Sequence, residues 1–293
     1  RCISVSESIQ QWGYVFHVLD RWRRKHSNDI YQFQDFLTEN YSLSIEQTEL
    51  KHIRNWILQL KSKNIESSSI NRKLSALKSL FKFGLRNNHI KSNPCTKLQS
   101  LKTPKKLPVF FKTSELDTAL ESTENAKNNF ADIRNNIILE ILYQTGIRRA
   151  ELIGLKDSDF NFFSLTLRIV GKGNKERIIP ISKNLKEKAE EYINLKNQIF
   201  DSPYFILTDT GEQSYPNLIY RIVKSSMGEV SSLSKRSPHV IRHSFASSLL
   251  NNGAEISAVK ELLGHANLAA TQIYTHTSYE QLKKTYKQAH PRK

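Results

Sequence analysis

Toward its C-terminal end the chain carries His239-Val240-Ile241-Arg242-His243, then Leu262-Leu263-Gly264-His265, then Tyr274-Thr275-His276. On a helix His239 and Arg242 share a face, and two basic groups so placed clamp one anionic group. Upstream, Thr145-Gly146-Ile147-Arg148-Arg149-Ala150-Glu151 puts another arginine beside an apolar segment, with an acid three residues on to orient it. Two arginines hold the non-bridging oxygens of one phosphate through directional, charge-assisted bonds. They also stabilise the extra charge of a pentacoordinate transition state. Tyr274 supplies a hydroxyl whose pKa near ~10 leaves little phenolate at neutral pH. Neighbouring cations lower that pKa, and a His or a phosphate oxygen can take the proton.

Each feature also has a plainer reading. Two arginines among 44 Lys and Arg are ordinarily surface residues, and one tyrosine among 11 is ordinarily a packing residue. Their order along one chain distinguishes them. His239 and His243, four apart, resemble a zinc-protease helix, but Val240 stands where the general-base Glu belongs, so zinc does not fit. Lys172, between two glycines in Gly171-Lys172-Gly173-Asn174-Lys175, can reach a leaving oxygen as a general acid; Lys175 competes for that role. The stretch lacks the spacing of a phosphate-binding loop for nucleotides.

These residues need positioning elements. Ile133, Ile137, Ile138, Ile141 and Leu142 predict a buried helix that stops near Gly146. Leu165–Val170 and Lys175–Ile181 predict a hairpin turned by Gly171 and Gly173. Pro238 suits the first turn of a helix carrying His239, where a phosphate can meet the helix N-terminus. Gly253 and Gly264 suit helix stops. Earlier, Ile70, Leu74, Leu77, Phe81 and Leu85 predict an amphipathic helix, with Ser67-Ser68-Ser69 as its N-cap. Arg72, Lys73, Lys78, Lys82 and Arg86 fill the rest of its surface and read as a DNA-facing set. Trp12, Tyr14, Phe16, Leu19 and Trp22 predict a further amphipathic helix. Lys102 to Pro108, with two prolines and three lysines, reads as a linker, giving domains 1–105 and 106–293.

The formal net charge is +16, which favours a polyanionic partner. Residues 1–107 carry +11 and the remainder +5, so the first third is the stronger clamp by charge alone. No apolar run approaches the ~18 residues of a membrane span. Cys2 and Cys95 are too few for a disulfide framework or a cysteine zinc site, which predicts a reducing, cytoplasmic setting.

Thr145–Leu155, Gly171–Pro180, His239–Leu250, Leu262–Ala266, Thr271–His276 and the tail Ala289-His290-Pro291-Arg292 together resemble the tyrosine recombinases, and among them the Xer type. The resemblance implies a mainly α fold with a small β-hairpin (α+β). It comprises a helical, SAM-like core-binding domain and a catalytic domain forming a C-shaped clamp on DNA. It implies that Tyr274 is a nucleophile forming a 3′-phosphotyrosine link. Arg148, Arg242, His239 and His265 then activate the scissile phosphate, Lys172 protonates the leaving 5′ oxygen and Glu151 supports Arg148. No cofactor is implied. The partners implied are a double-stranded recombination site, a homo- or hetero-tetramer on two sites that can include a paralogous recombinase, and a septal DNA translocase. The helix near 279–288 would dock on a neighbouring protomer. Resolution of chromosome dimers is the role expected; a mobile-element integrase or invertase and a non-catalytic DNA-binding relative are the alternatives.

Overall fold

The computed structural model describes residues 20–104, 109–125, 129–171, 173–264, 286 and 288–290, with side chains from residue 28 onward. Two units, Arg1–Lys106 and Leu107–Lys293, fold around separate cores.

Among the described residues, three α-helices build the first unit: α1 (Asp20–Tyr41), α2 (Leu50–Ser62) and α3 (Ser67–Arg86). Their apolar stripes meet at Phe33, Leu37, Ile53, Trp56, Ile70, Leu74, Leu77 and Phe81. Cys95 closes this core, and burial pushes its thiol up to about 12, which removes it from thiolate chemistry. The segment Trp12 to Leu19 lies outside the described residues, as does the Trp22 side chain; Asp20 onward is helical.

Two details of α3 depart from the sequence pattern. Leu85 is exposed, because the helix's last turn extends past the apolar core. Glu66, not a serine, is the N-cap, and the Ser68 hydroxyl donates to its carboxylate. Lys73 is a larger correction. It is buried, and its ammonium donates to Asp29 and Gln32 on α1. A cation can sit there only because Asp29, itself buried, neutralises it. Arg72 also pairs with Asp29 but stays half exposed. Exposed Arg72, Ser75, Ser79, Lys82 and Arg86 form the outward stripe of α3, with Lys78 at its edge.

The second unit comprises α4 (Thr113–Asn125), α5 (Phe130–Thr145), α6 (Arg149–Gly154), a three-stranded antiparallel sheet, α7 (Lys183–Ile199), α8 (Pro216–Ser226), α9 (Pro238–Asn251) and α10 (Ile256–Leu263). The sheet, in order β1-β2-β3, joins β1 (Phe160–Asn161), β2 (Thr166–Val170) and β3 (Glu176–Pro180). In the expected hairpin Arg168 faces Ile178 and Ile169 faces Arg177. Helix α5 is the central element and is buried on nearly every side from Asn136 to Thr145. Among the described residues no helix is long and apolar enough to cross a membrane.

Candidate active site

The site begins where α5 stops. Gly146 has φ +59 and donates its N–H to the carbonyl of Leu142, which ends the helix. A Cβ there would lie 2.4 Å from the Phe245 ring, so a side chain is excluded by space as well as by backbone conformation. The turn delivers Arg148 as the N-cap residue of α6.

Glu151, one turn into α6, organises what surrounds Arg148. Its Oε1 accepts from Arg148 Nη1 at 2.8 Å and from Arg177 Nη1 at 3.0 Å. Its Oε2 accepts from the Arg148 backbone N–H and from Arg177 Nη2, both at 2.8 Å. Burial raises the pKa of this carboxyl, but hydrogen bonds and charge from Arg177, then bonds from Arg148, outweigh it and leave the pKa below the ordinary value. The Arg148 side chain, aimed by this carboxylate, remains 43% exposed and so is open to a ligand.

Arg242 approaches from α9, where Pro238 occupies the first turn as its sequence suggests. Its guanidinium is buried and donates to Gly146 O and Leu263 O, each at 2.6 Å. Burial, then repulsion from Arg148, lowers its pKa to about 10, so it stays charged at neutral pH. An anion between Arg148 and Arg242 would relieve that repulsion. His239 and His243 lie exposed on α9 with ring centroids 4.7 Å apart. Burial, then the charges of His243, Arg242, Lys235 and Arg148, hold the His239 pKa below 6.5. At neutral pH its imidazole is therefore neutral and able to accept a proton.

The three arginines end on consecutive carbonyls at the close of α10. Arg177 Nε donates to Leu262 O at 2.9 Å, Arg242 Nη2 to Leu263 O, and Arg148 Nη2 to Gly264 O at 3.0 Å. Helix C-terminal carbonyls carry partial negative charge and lack intrahelical donors, which makes them suitable partners for cations. Gly264 stops the helix at φ +62, and a Cβ there would press on Arg177 at 3.1 Å.

Arg148, Glu151, His239 and Arg242 thus converge. Lys172, His265 and Tyr274 lie outside the described residues. Lys175 is exposed, one residue before β3. Of the helix near 279–288 implied to dock on a neighbour, Tyr286 and Gln288 are described; Tyr286 stacks on His290 at 4.8 Å, and His290 also packs near Tyr143 and Phe245 of the same chain. Sequence reasoning passed over Arg177, yet a signal was there. In β3 Arg177 and Ile179 share the inward face, and a charged residue at a core-facing position needs a partner.

Residues 110–281 match the phage integrase family, and residues 23–88 match the phage integrase N-terminal SAM-like domain. The chain is 35% identical over 272 residues to the tyrosine recombinase XerC of Listeria welshimeri, covering 91% of this chain and 90% of the relative. It is 34% identical over 294 residues to XerC of Staphylococcus saprophyticus, covering 98% of each. Among solved structures, XerH site-specific recombinase in a post-cleavage complex with a palindromic difH substrate superposes with a TM-score of 0.72 at 21% identity, covering 89% of this chain and 78% of that one. The Tn1549 transposon integrase bound to transposon right-end DNA gives 0.65 at 19% identity, covering 96% and 98%.

Proposed function

Since the chain belongs to the phage integrase family and is a site-specific tyrosine recombinase, we propose that it cuts and rejoins duplex DNA through Tyr274. The Tyr274 hydroxyl gives its proton to a neighbouring His or phosphate oxygen as its oxygen attacks the scissile phosphorus, a 3′-phosphotyrosine ester forms, and the 5′ oxygen departs with a proton from Lys172. Attack by a 5′-hydroxyl on that ester reverses the step on the same or an exchanged strand. The bond energy stays in the ester, so rejoining draws on no nucleotide hydrolysis. Arg148 and Arg242 hold the non-bridging oxygens, and His239 and His265 handle protons around them. Glu151 holds Arg148.

One observation carries this reading: Arg148 and Arg242, from different elements, end on adjacent carbonyls beside a neutral His239. Two converging guanidinium groups suit a phosphodiester that gains charge on attack. Under this reading Arg1–Lys106 is the core-binding domain, with the α3 stripe of Arg72, Lys78, Lys82 and Arg86 on phosphates, and Leu107–Lys293 is the catalytic domain. Four protomers on two sites, of one chain or with a paralogue, resolve chromosome dimers in the cytoplasm, with a septal translocase as a further partner. Relatives named tyrosine recombinase XerC match over nine-tenths or more of both chains, a naming with which the chromosomal role is consistent.

Mapping DNA bound across the host genome tests the role. A single peak at the replication terminus is expected; peaks at element ends would replace it with the integrase reading. On the recovered site, Arg242→Ala should bind DNA but fail to form the covalent adduct. Adduct formation at the native rate would remove Arg242 from the phosphate.

A further inference from the structure

Arg177 sits where three parts of the proposed site meet, yet nothing above gives it a role in the reaction. Its guanidinium spends Nη1 and Nη2 on Glu151 and Nε on Leu262 O. The side chain is 7% exposed, too enclosed to be an ordinary DNA-binding arginine. Glu151 in turn holds Arg148 by side chain and backbone. Gly171, which precedes Lys172 in the chain, adjoins the same pair: a Cβ on it would lie 3.6 Å from Glu151 Oε1 and 3.9 Å from Arg177 Nη1. Leu262, whose carbonyl Arg177 holds, and Gly264, where an added Cβ would press on Arg177, directly precede His265 in the chain.

Charge explains why an arginine belongs there. A carboxylate facing Arg148 alone would aim the guanidinium but cancel its field at the phosphate. A second cation on the same carboxylate leaves the Arg148–Glu151–Arg177 group with a net charge of +1. Arg148 is then both fixed and positive toward its ligand. A lysine could restore the charge, but a single ammonium cannot reproduce the fork on the carboxylate together with the third bond to Leu262 O.

We propose that Arg177 is a positioning residue for DNA cleavage, acting through Glu151 to keep Arg148 oriented and electropositive at the scissile phosphate. This rests on the reading above that Arg148 binds that phosphate. The predicted signature depends on phosphate charge. A methylphosphonate at the scissile position carries no negative charge, so it gains less from an arginine than the native phosphate does.

The test is single-turnover cleavage of nicked suicide duplexes by the full chain, with phosphate or methylphosphonate at the scissile position. Removing one preorganised donor costs roughly 100-fold or more. Arg177→Met should therefore lose about 100-fold on phosphate while staying within roughly threefold of native on methylphosphonate, with site binding retained. Arg177→Lys, which keeps the charge and serves if the Met variant fails to fold, should show the same phosphate-selective loss at about tenfold. Equal losses on both substrates, or native rates for Arg177→Lys on both, overturn the inference. Arg148→Ala is the reference. If it shows no phosphate selectivity, the assignment of Arg148 to the phosphate fails; if it does and Arg177→Met does not, only the role of Arg177 falls.

Discussion

Replacing Glu151 with Gln tests the carboxylate on which the site is built. The native carboxylate accepts four N–H groups, two on each oxygen. Gln offers one oxygen and one NH2, so in either orientation two of those four donors face another donor. Arg177, almost fully enclosed, also loses its only negatively charged partner among the described residues. Breaking a buried ion pair from one side costs about 3–5 kcal/mol. For a unit the size of Leu107–Lys293 each kcal/mol moves the midpoint by roughly 2–4 °C, so Glu151→Gln should lower the melting transition of that unit by roughly 6–20 °C. Scanning calorimetry of the full chain reads this directly. The pH dependence gives a second check. The Glu151 carboxyl has a folded pKa below its ordinary 4.5, so its contribution is full above that pH and fades as pH falls through the depressed value. Native and variant curves should converge on acidification. A midpoint within about 2 °C of native at pH 7, or a gap that widens in acid, would show that the carboxylate does not hold the site together.

Replacing the bridging 5′ oxygen with sulfur creates a leaving group that needs no proton. Lys172→Ala should lose ~100- to 10,000-fold on normal DNA and recover on the sulfur site, and Lys175→Ala should show little such recovery. Equal slowness of Lys172→Ala on both substrates assigns Lys172 to positioning. By NMR, His239 should titrate below 6.5 in the free protein, rise when site DNA brings a phosphate anion, and rise also in His243→Gln, which removes the second-largest cause of the depression. A free-protein midpoint at or above 6.5 would contradict this. Lys82→Gln and Arg86→Gln should each reduce the log–log salt slope of DNA binding by roughly 0.9, while Lys73→Gln, inside the first unit, should alter stability but not the slope. An equal change of slope for all three would put Lys73 back on the DNA face.

Local rules recovered much of this architecture from sequence. The apolar run ending at Gly146 and the glycine-turned hairpin were legible because the signal lies within the segment itself. Lys73 was not, because its partner Asp29 lies 44 residues away and periodicity does not report long-range pairing. The two-residue β1 carries too little pattern to see. In α7 the buried Lys188 and Lys196 look like surface lysines until Glu140 and Asp157 come in from other elements. At the site, Arg148 and Arg242 could be named from their motifs. Their meeting on successive carbonyls of α10, with Arg177 on the carbonyl before, is a tertiary fact that appears only once α6, α9, α10 and β3 have packed.

Covalent trapping identifies the nucleophile, proposed here as Tyr274, without recourse to rates. A suicide duplex nicked beside the cleavage point releases a short fragment after attack, so the protein stays joined to DNA and migrates as an adduct. The native chain should form it, and peptide mapping should find the nucleotide on Tyr274. Tyr274→Phe should bind the same duplex within about twofold, since the basic clamp is intact, and form no adduct. An adduct with the Phe variant, or a nucleotide mapped to another residue in the native chain, would assign the attack to a different side chain.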